Sequence, residues 1–292
     1  MNSTITAAFV QQFHDGFVAA AQQTESRFES RVVNRGAITG SSFTANDMGT
    51  VEMSQVTNRY GDTEWTIPDV GTRQALMSDY DLAIPIDQFD LPKLLANPQG
   101  DYLQRAVAAA NRKKDAVIYA AMKGSALRKT DESGSFSGQA MLAGQQIAAG
   151  GTGMTKAKIV QAKKLFRASE VDEHNGEELY FCYDAGMLED ILTDTTLTSA
   201  DFMAVKMLQE GNVSGKWMGF NWVPYEALSL AAGAKTAVAW AKSGCHVGTG
   251  AVPMVDIGPR RDKRNLTQIY VALSIGSVRV NEYKVVTIDY TV

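Results

Sequence analysis

Apolar positions near the start of the chain recur at helical spacing. Ile5, Phe9, Phe13, Phe17 and Ala20 follow one another at intervals of four and three, which predicts an amphipathic helix to about Phe28 with three aromatic rings on one stripe. Val33 to Thr50 has no period and is rich in Gly, Ser, Thr and Asn, so it reads as a loop or extended connector. From Val51 to Ile86 polar residues are interleaved with Trp65, Ile67, Val70, Leu76 and Tyr80, while Pro68, Gly71 and Pro85 exclude a regular helix. This predicts a long hairpin turning at Arg59-Tyr60-Gly61-Asp62. Both of its faces are too polar to make a core, and an isolated two-stranded ribbon is marginal in water, so a partner surface is implied.

Asn97-Pro98 then supplies an N-cap and a first-turn proline for a helix over 98–123 that stops at Gly124. At 1.5 Å per residue it is about 35 Å long. Leu103, Val107, Ala110, Val117 and Ala121 form its apolar stripe, broken at Lys114. Ser133 to Gly153 reads as an irregular excursion. Thr155 is placed to cap a second helix with Ile159, Ala162 and Phe166 inward and four lysines outward. Asn175-Gly176 turns into a buried strand, Leu179 to Tyr183, and a short helix over Ala185 to Leu192. Helix, turn, strand and helix make an α/β unit. Beyond it the pattern predicts a helix at Ala200 to Gln209, a strand at Trp217 to Pro224, an Ala-rich helix near Thr236 to Ser243, and two closing strands around Asn281-Glu282.

Composition changes this picture in one respect. The 292 residues are 45% hydrophobic and 21% charged with only 7 Pro, which fits a folded chain with a substantial core. The net charge of -4 argues against a dedicated nucleic-acid binder, whose affinity would come from cationic contacts to phosphate. Two cysteines, Cys182 and Cys245, are too few for a disulfide scaffold and fit a reducing compartment. The N-terminal residues lack the pattern of a secretory signal and no stretch of 18 apolar residues occurs, so neither export nor a membrane partner is expected.

Candidate chemistry is sparse. His14, His174 and His246 stand in unrelated contexts, without the HExxH or paired Cys spacings of a zinc site. Asp172, Glu173, Glu177 and Glu178 form an acidic turn without EF-hand register, which reads as a solvated surface. Gly150 to Lys156 and Gly211 to Trp217 both miss the Gly-Lys-Ser/Thr of a phosphate loop. In Gly134 to Gly138, Phe136 occupies the nucleophile position of GxSxG, and Cys245-His246 are merely adjacent in sequence. No catalytic, metal or cofactor site is predicted. Charge is more informative: seven basic residues stand against two acidic ones between Gly100 and Thr130, and Arg260, Arg261, Lys263 and Arg264 form a second basic knot. Each is read either as solvated surface or as a contact between subunits.

The order of these pieces resembles the major capsid proteins of tailed bacteriophages with the Hong Kong 97-type fold. The similarity rests on Arg59 to Ile86 leading into Asp87-Gln88-Phe89-Asp90, on Asp101-Tyr102 through Arg112-Lys113-Lys114-Asp115 and Ile118 to Gly124, and on Thr155 to Val171 with Tyr180 to Leu192. Gly215 to Phe220 and Ile275 to Arg279 through Val286 complete it. The resemblance implies an α+β fold with an N-terminal arm (1–45), an extended loop (46–85), a peripheral domain (86–176 and 259–292) carrying the spine helix 98–123, and an axial domain (177–258). It implies a virion protein, assembled in the host bacterial cytoplasm, that forms hexamers and pentamers of an icosahedral head around packaged double-stranded DNA, without sequence-specific binding. A separate scaffolding protein, a portal and in some cases a decoration protein would be its partners. Phe9, Phe13, Phe17, Arg59, Trp65, Arg73, Arg260 and Arg261 are the candidate contacts between subunits.

Ordering 86 residues without a core of their own costs about 1 to 2 kcal/mol per backbone residue, which contacts with neighbouring copies would offset. An encapsulin-like shell around protein cargo is the alternative with the same fold. An α/β enzyme with a site dispersed over the Gly-rich loop and Cys245-His246 is the alternative from another class.

Overall fold

The protein is described here from a computed structural model that covers residues 23–56, 61–63, 65–86, 99–131, 133–193, 216–250 and 254–292. In chain order the strands are β1 (Val33–Ile38), β2 (Ser42–Met48), β3 (Val70–Leu76), β4 (Ser78–Ile86), β5 (Ala126–Lys129), β6 (Ser137–Gln139), β7 (Gln146–Ile147) and β8 (Leu179–Tyr183). They continue with β9 (Lys216–Trp217), β10 (Phe220–Pro224), β11 (Leu230–Ala231), β12 (Ala234–Ala241), β13 (Cys245–Gly250), β14 (Met254–Arg260), β15 (Leu266–Arg279) and β16 (Val285–Thr291). Three helices are described: α1 (Gln99–Lys123), α2 (Lys156–Ala168) and α3 (Ala185–Thr193).

The strands make three sheets. The first runs β1-β13-β15-β14, with β4 added along β15 over nine residue pairs from Ser78↔Ile275 to Ile86↔Thr267. The second, β7-β16-β12-β8-β10-β9 with β11 beside β12, holds the main core, and the third is the small antiparallel sheet β2-β3-β5-β6. α1 packs against β15. It buries Ile118, Tyr119 and Met122 in the main core, to which Leu273 and Ile275 of β15 also belong. Ile159, Ala162 and Phe166 of α2 are fully buried there, as its spacing predicts, with Phe166 edge-on to Phe220 at 5.9 Å.

Several elements depart from the sequence pattern for identifiable reasons. Residues 23–28 are not helical; the predicted first helix lies mostly in 1–22, outside the described residues, as does the helix predicted at 200–209. The connector at 33–50 is two strands, because its polar residues gain ladder partners in β13 and β3. The hairpin is β2 with β3, Ser42↔Leu76 to Met48↔Val70, and the segment that follows it, β4, pairs with β15. The Ala-rich segment predicted as a helix is β12, a central strand between β8 and β16. Ala237, Ala239 and Ala241 alternate with Thr236, Val238 and Trp240, a period of two that packing on both faces enforces over helix propensity. On α1 the buried residues are Ala106, Ala108, Asp115, Ile118, Tyr119 and Met122, while Val107 of the predicted stripe is 41% exposed. Thr155 precedes α2 in extended conformation but its hydroxyl makes no cap. Lys158 is buried, its ammonium donating to the carbonyls of Ala149, Thr152 and Gly153 at 2.8 to 3.0 Å. The sequence-based divisions at 45/46 and 258/259 fall inside β2 and β14.

Candidate assembly surfaces

The β2–β3 hairpin stands away from the main core and is held at its root by charge and by close backbone approach. Phe43, Ala45 and Ala75 face Ala126, Val278 and Val280 in a small cluster of their own. Beside it lies Arg73, 2% exposed, whose guanidinium forks onto the Glu282 carboxylate while its Nε donates to Asp47 Oδ2 at 3.0 Å. Arg128 Nε donates to the same oxygen at 3.0 Å, and its Nη2 reaches Asp69 at 2.9 Å. Fully buried Arg279 completes the group, donating to the carbonyls of Met122 and Gly124 at 2.9 and 2.6 Å. Burial holds the Arg279 guanidinium below its ordinary range, opposed by Glu282. The Asp69 hydrogen bond raises Arg128. Three cations and three carboxylates thus join the hairpin to the end of β15, the arrangement in which buried charges are tolerable.

Two glycines lie under the chain where it enters and leaves the hairpin. Gly248 and Gly276 face each other across β13 and β15. A Cβ at Gly248 would stand 2.6 Å from Ile38 Cγ1, and one at Gly276 would stand 2.8 Å from the Leu76 carbonyl. At Gly276 the obstacle is backbone, so a side chain there would push the β3 limb off the sheet, whereas at Gly248 the neighbours are the side chains of Ile38 in β1 and Phe43 in β2.

Beyond this root the hairpin carries apolar side chains into solvent. Trp65 is 87% and Ile67 85% exposed, and Met48, Val51, Met53 and Val56 on the other limb are exposed too. A group of this size uncovered on one chain marks an interaction surface.

The chain reaches this region from a strap on α1. Asp115, on α1, is fully buried and accepts from Ser26 Oγ (2.7 Å) and the backbone N–H groups of Arg27 (2.9 Å) and Phe28 (3.1 Å). Phe28 enters the main core, 4.8 Å from Tyr225 and 5.3 Å from Trp240, whose indole donates to the Arg31 carbonyl at 2.9 Å.

Of the candidate contact residues, Phe9, Phe13, Phe17 and Arg59 lie outside the described residues. Trp65 is at the exposed tip. Arg73 is inside, engaged by its own chain. Arg260 pairs with Asp262 at 2.7 Å on the exposed β14–β15 turn, where Arg261 is also exposed. Asp47, Glu282, Asp115 and the two glycines escaped the sequence pattern. A lone acidic residue inside a basic helix or beside a turn is the weak trace that Asp115 and Glu282 leave.

The remaining chemistry is dispersed. Cys245 Sγ faces Ser277 Oγ at 3.3 Å, whereas His246 Nδ1 accepts from Arg35 Nε at 3.2 Å, so the neighbours form no dyad. Burial pushes the Cys182 and Cys245 thiols up to about 12 and about 11, away from thiolate chemistry. Asp172 caps a turn, Glu173 pairs with Lys163, and Glu177 pairs with Lys284. Among the described residues no three such groups converge in a metal-binding arrangement.

Sequence comparison matches residues 5–292 to the family described as phage capsid protein. The chain belongs to that family. It is a structural major capsid protein of a virion. No curated protein sequence matches it. Solved structures agree on the Hong Kong 97-type α+β fold. A chain from Mycobacterium phage Che8 superposes with a TM-score of 0.69 at 13% identity, covering 95% of this chain and 96% of that one. The capsid of Ralstonia phage GP4 gives 0.69 at 12% identity over 96% and 95%. The capsid of a native GTA particle gives 0.68 at 12% identity over the whole of both chains. The family match favours a phage shell over an encapsulin-like compartment.

Proposed function

We propose that copies of this chain form the hexamers and pentamers of an icosahedral phage head around double-stranded DNA, and that the β2–β3 hairpin is the extended loop that lies across a neighbouring copy. The observation that carries this reading is the pairing of a rigid, charge-locked root with an apolar tip that its own chain leaves in solvent. Trp65 and the basic turn at Arg260 and Arg261 are the contacts offered to neighbours. The protein performs no catalytic step in this reading. Assembly takes place in the host cytoplasm, with a separate scaffolding protein, a portal and any decoration protein as partners. The acidic balance of the chain suits a wall that contains DNA without gripping it.

Replacing Trp65 and Ile67 by Asp tests the reading. Both side chains are exposed, so subunit stability should change by less than about 0.5 kcal/mol. Negative-stain microscopy of the chain expressed with its neighbouring genes should show closed shells for the parent and only free subunits or capsomers for the variant. Normal shells from the variant would refute the role of the tip. A compact monomer from the parent under every condition would refute the shell reading itself.

A further inference from the structure

The first half of α1 and the tip of the β2–β3 hairpin are complementary in shape and in charge. Tyr80 and Leu82 of β4 stand opposite Leu273 and Val271 of β15, on the sheet face beside α1. Ala106, Ala109 and Ala110 of α1 are too short to close the gap there, and a groove of about 300 Å³ opens to solvent. Leu82 is 37% exposed, and Tyr80, Ala109 and Ala110 are half-buried. Lys113 lies at the rim, its ammonium 4.2 Å from the centre of the Tyr80 ring, and Asp81 lies on the β4 side. From Gln99 to Lys113 the basic residues Arg105, Arg112 and Lys113 stand against Asp101 alone. The tip offers the opposite: from Gly49 to Asp69 four acidic residues stand against one basic, while Met53, Trp65 and Ile67 are exposed.

One chain does not bring its own tip and groove together. β3 pairs with β5 from Gln74↔Leu127 to Thr72↔Lys129, so the hairpin is rooted near the C-terminal end of α1 and its tip lies beyond Lys129. The groove runs along residues 106–113, about 15 to 25 Å of helix before Lys123. Arg73 on Glu282 holds the root in place. Resting on the reading that the hairpin lies across a neighbouring copy, we propose that its tip seats Trp65 in the α1–β4 groove of that copy. A large aromatic anchor in a desolvated pocket is the usual energetic centre of an interface. Glu52 and Asp62 bring negative charge to the Arg105, Arg112 and Lys113 side, which fixes orientation. Each chain gives one tip and receives one. The contact is therefore head to tail, and its repetition closes a ring.

Paired cysteines in the full-length chain provide the test, since the native Cys182 and Cys245 are fully buried and stay silent. Shells of the double variant Ile67→Cys with Ala109→Cys, under mild oxidation, should give a ladder of linked chains on a non-reducing gel, with positions 67 and 109 joined in peptide mass spectra. A link within one chain, or dimers from Ile67→Cys alone, would overturn the proposal. Intact shells without any link would overturn the groove and leave the hairpin reading standing, whereas a parent chain that forms no shells would sink that reading itself. Charge reversal adds a second readout. Arg112→Glu with Lys113→Glu, both exposed, should cut shell yield at least tenfold without moving the urea midpoint, and adding Glu52→Lys with Asp62→Lys should restore it. Undiminished yield from the first pair, or no recovery with the second, would overturn the proposal. Maleimide should label Ala109→Cys at least tenfold faster in free subunits than in shells; equal protection in both would show a groove filled by its own chain and overturn it too.

Discussion

Glu282→Gln removes the charge that faces the Arg73 guanidinium in the root of the hairpin. Arg73 is 2% and Glu282 6% exposed, so neither can be compensated by water. The substitution leaves Arg73 with Asp47 alone, which Arg128 already shares, while Arg279 loses its nearest carboxylate, 3.6 Å away. Breaking a buried pair in this way costs about 3 to 5 kcal/mol, most of it the uncompensated charge that remains. For a chain of this size that corresponds to a fall in Tm on the order of 10 °C. Urea unfolding of soluble subunits, followed by fluorescence of the buried Trp217, Trp222 and Trp240, measures it. The double variant Arg73→Met with Glu282→Leu removes both charges together and should cost less than the sum of the two single changes by about 1.5 to 3 kcal/mol. A loss below about 1 kcal/mol for Glu282→Gln, or strict additivity in the cycle, would refute the charge-locked root.

Two further outcomes follow from neighbouring features. Gly276→Ala places a methyl 2.8 Å from the Leu76 carbonyl, which is backbone and cannot rotate aside, and should destabilise by about 1 to 3 kcal/mol with faster hydrogen exchange confined to β2, β3 and β4. Gly144→Ala, with open space around its Cβ position, should be silent by both measures. Burial, with Arg35 and Lys284 nearby, pushes His246 down to about 4, so the unfolded chain binds a proton near pH 6.5 that the folded chain refuses. Stability should therefore hold above pH 6.5 and fall by about 2 kcal/mol as the pH drops toward 4.5, and His246→Gln should flatten that slope in urea midpoints.

Much of the body was legible because burial there follows simple periods. The 3.6-residue period marks α2 through Ile159, Ala162 and Phe166, and the unbroken run Leu179 to Tyr183 marks β8, buried on both faces. The order of arm, hairpin, long helix and closing strands carries the resemblance to the family in the sequence itself. What stayed hidden depends on partners distant in sequence. β1 is polar because it sits at a sheet edge, and only β13, some 200 residues away, makes it a strand. β12 is Ala-rich because β8 and β16 crowd it from both sides, so composition there reports packing space instead of helix preference. Lys158 and Arg73 look like surface charges in sequence and are interior ones in space, because carbonyls near Gly153 and the Glu282 carboxylate take up their donors. The exposed tip at Trp65 was visible as an apolar residue in a polar run, whereas its mounting was not.

The placement of β4 and β1 has a mechanical consequence. One limb of the hairpin continues through Met77 into β4, and the other runs back to β1. These two strands are joined by β13 and β15, which pair with each other. Tension on the tip thus closes as a loop through four strands of a single sheet. On the β4 side a pull in line with the strand loads nine residue pairs at once, so they yield together instead of unzipping singly. In the proposed shell, a tug from a neighbour on the tip would load this sheet, whose Val247, Leu273 and Ile275 are also part of the main core.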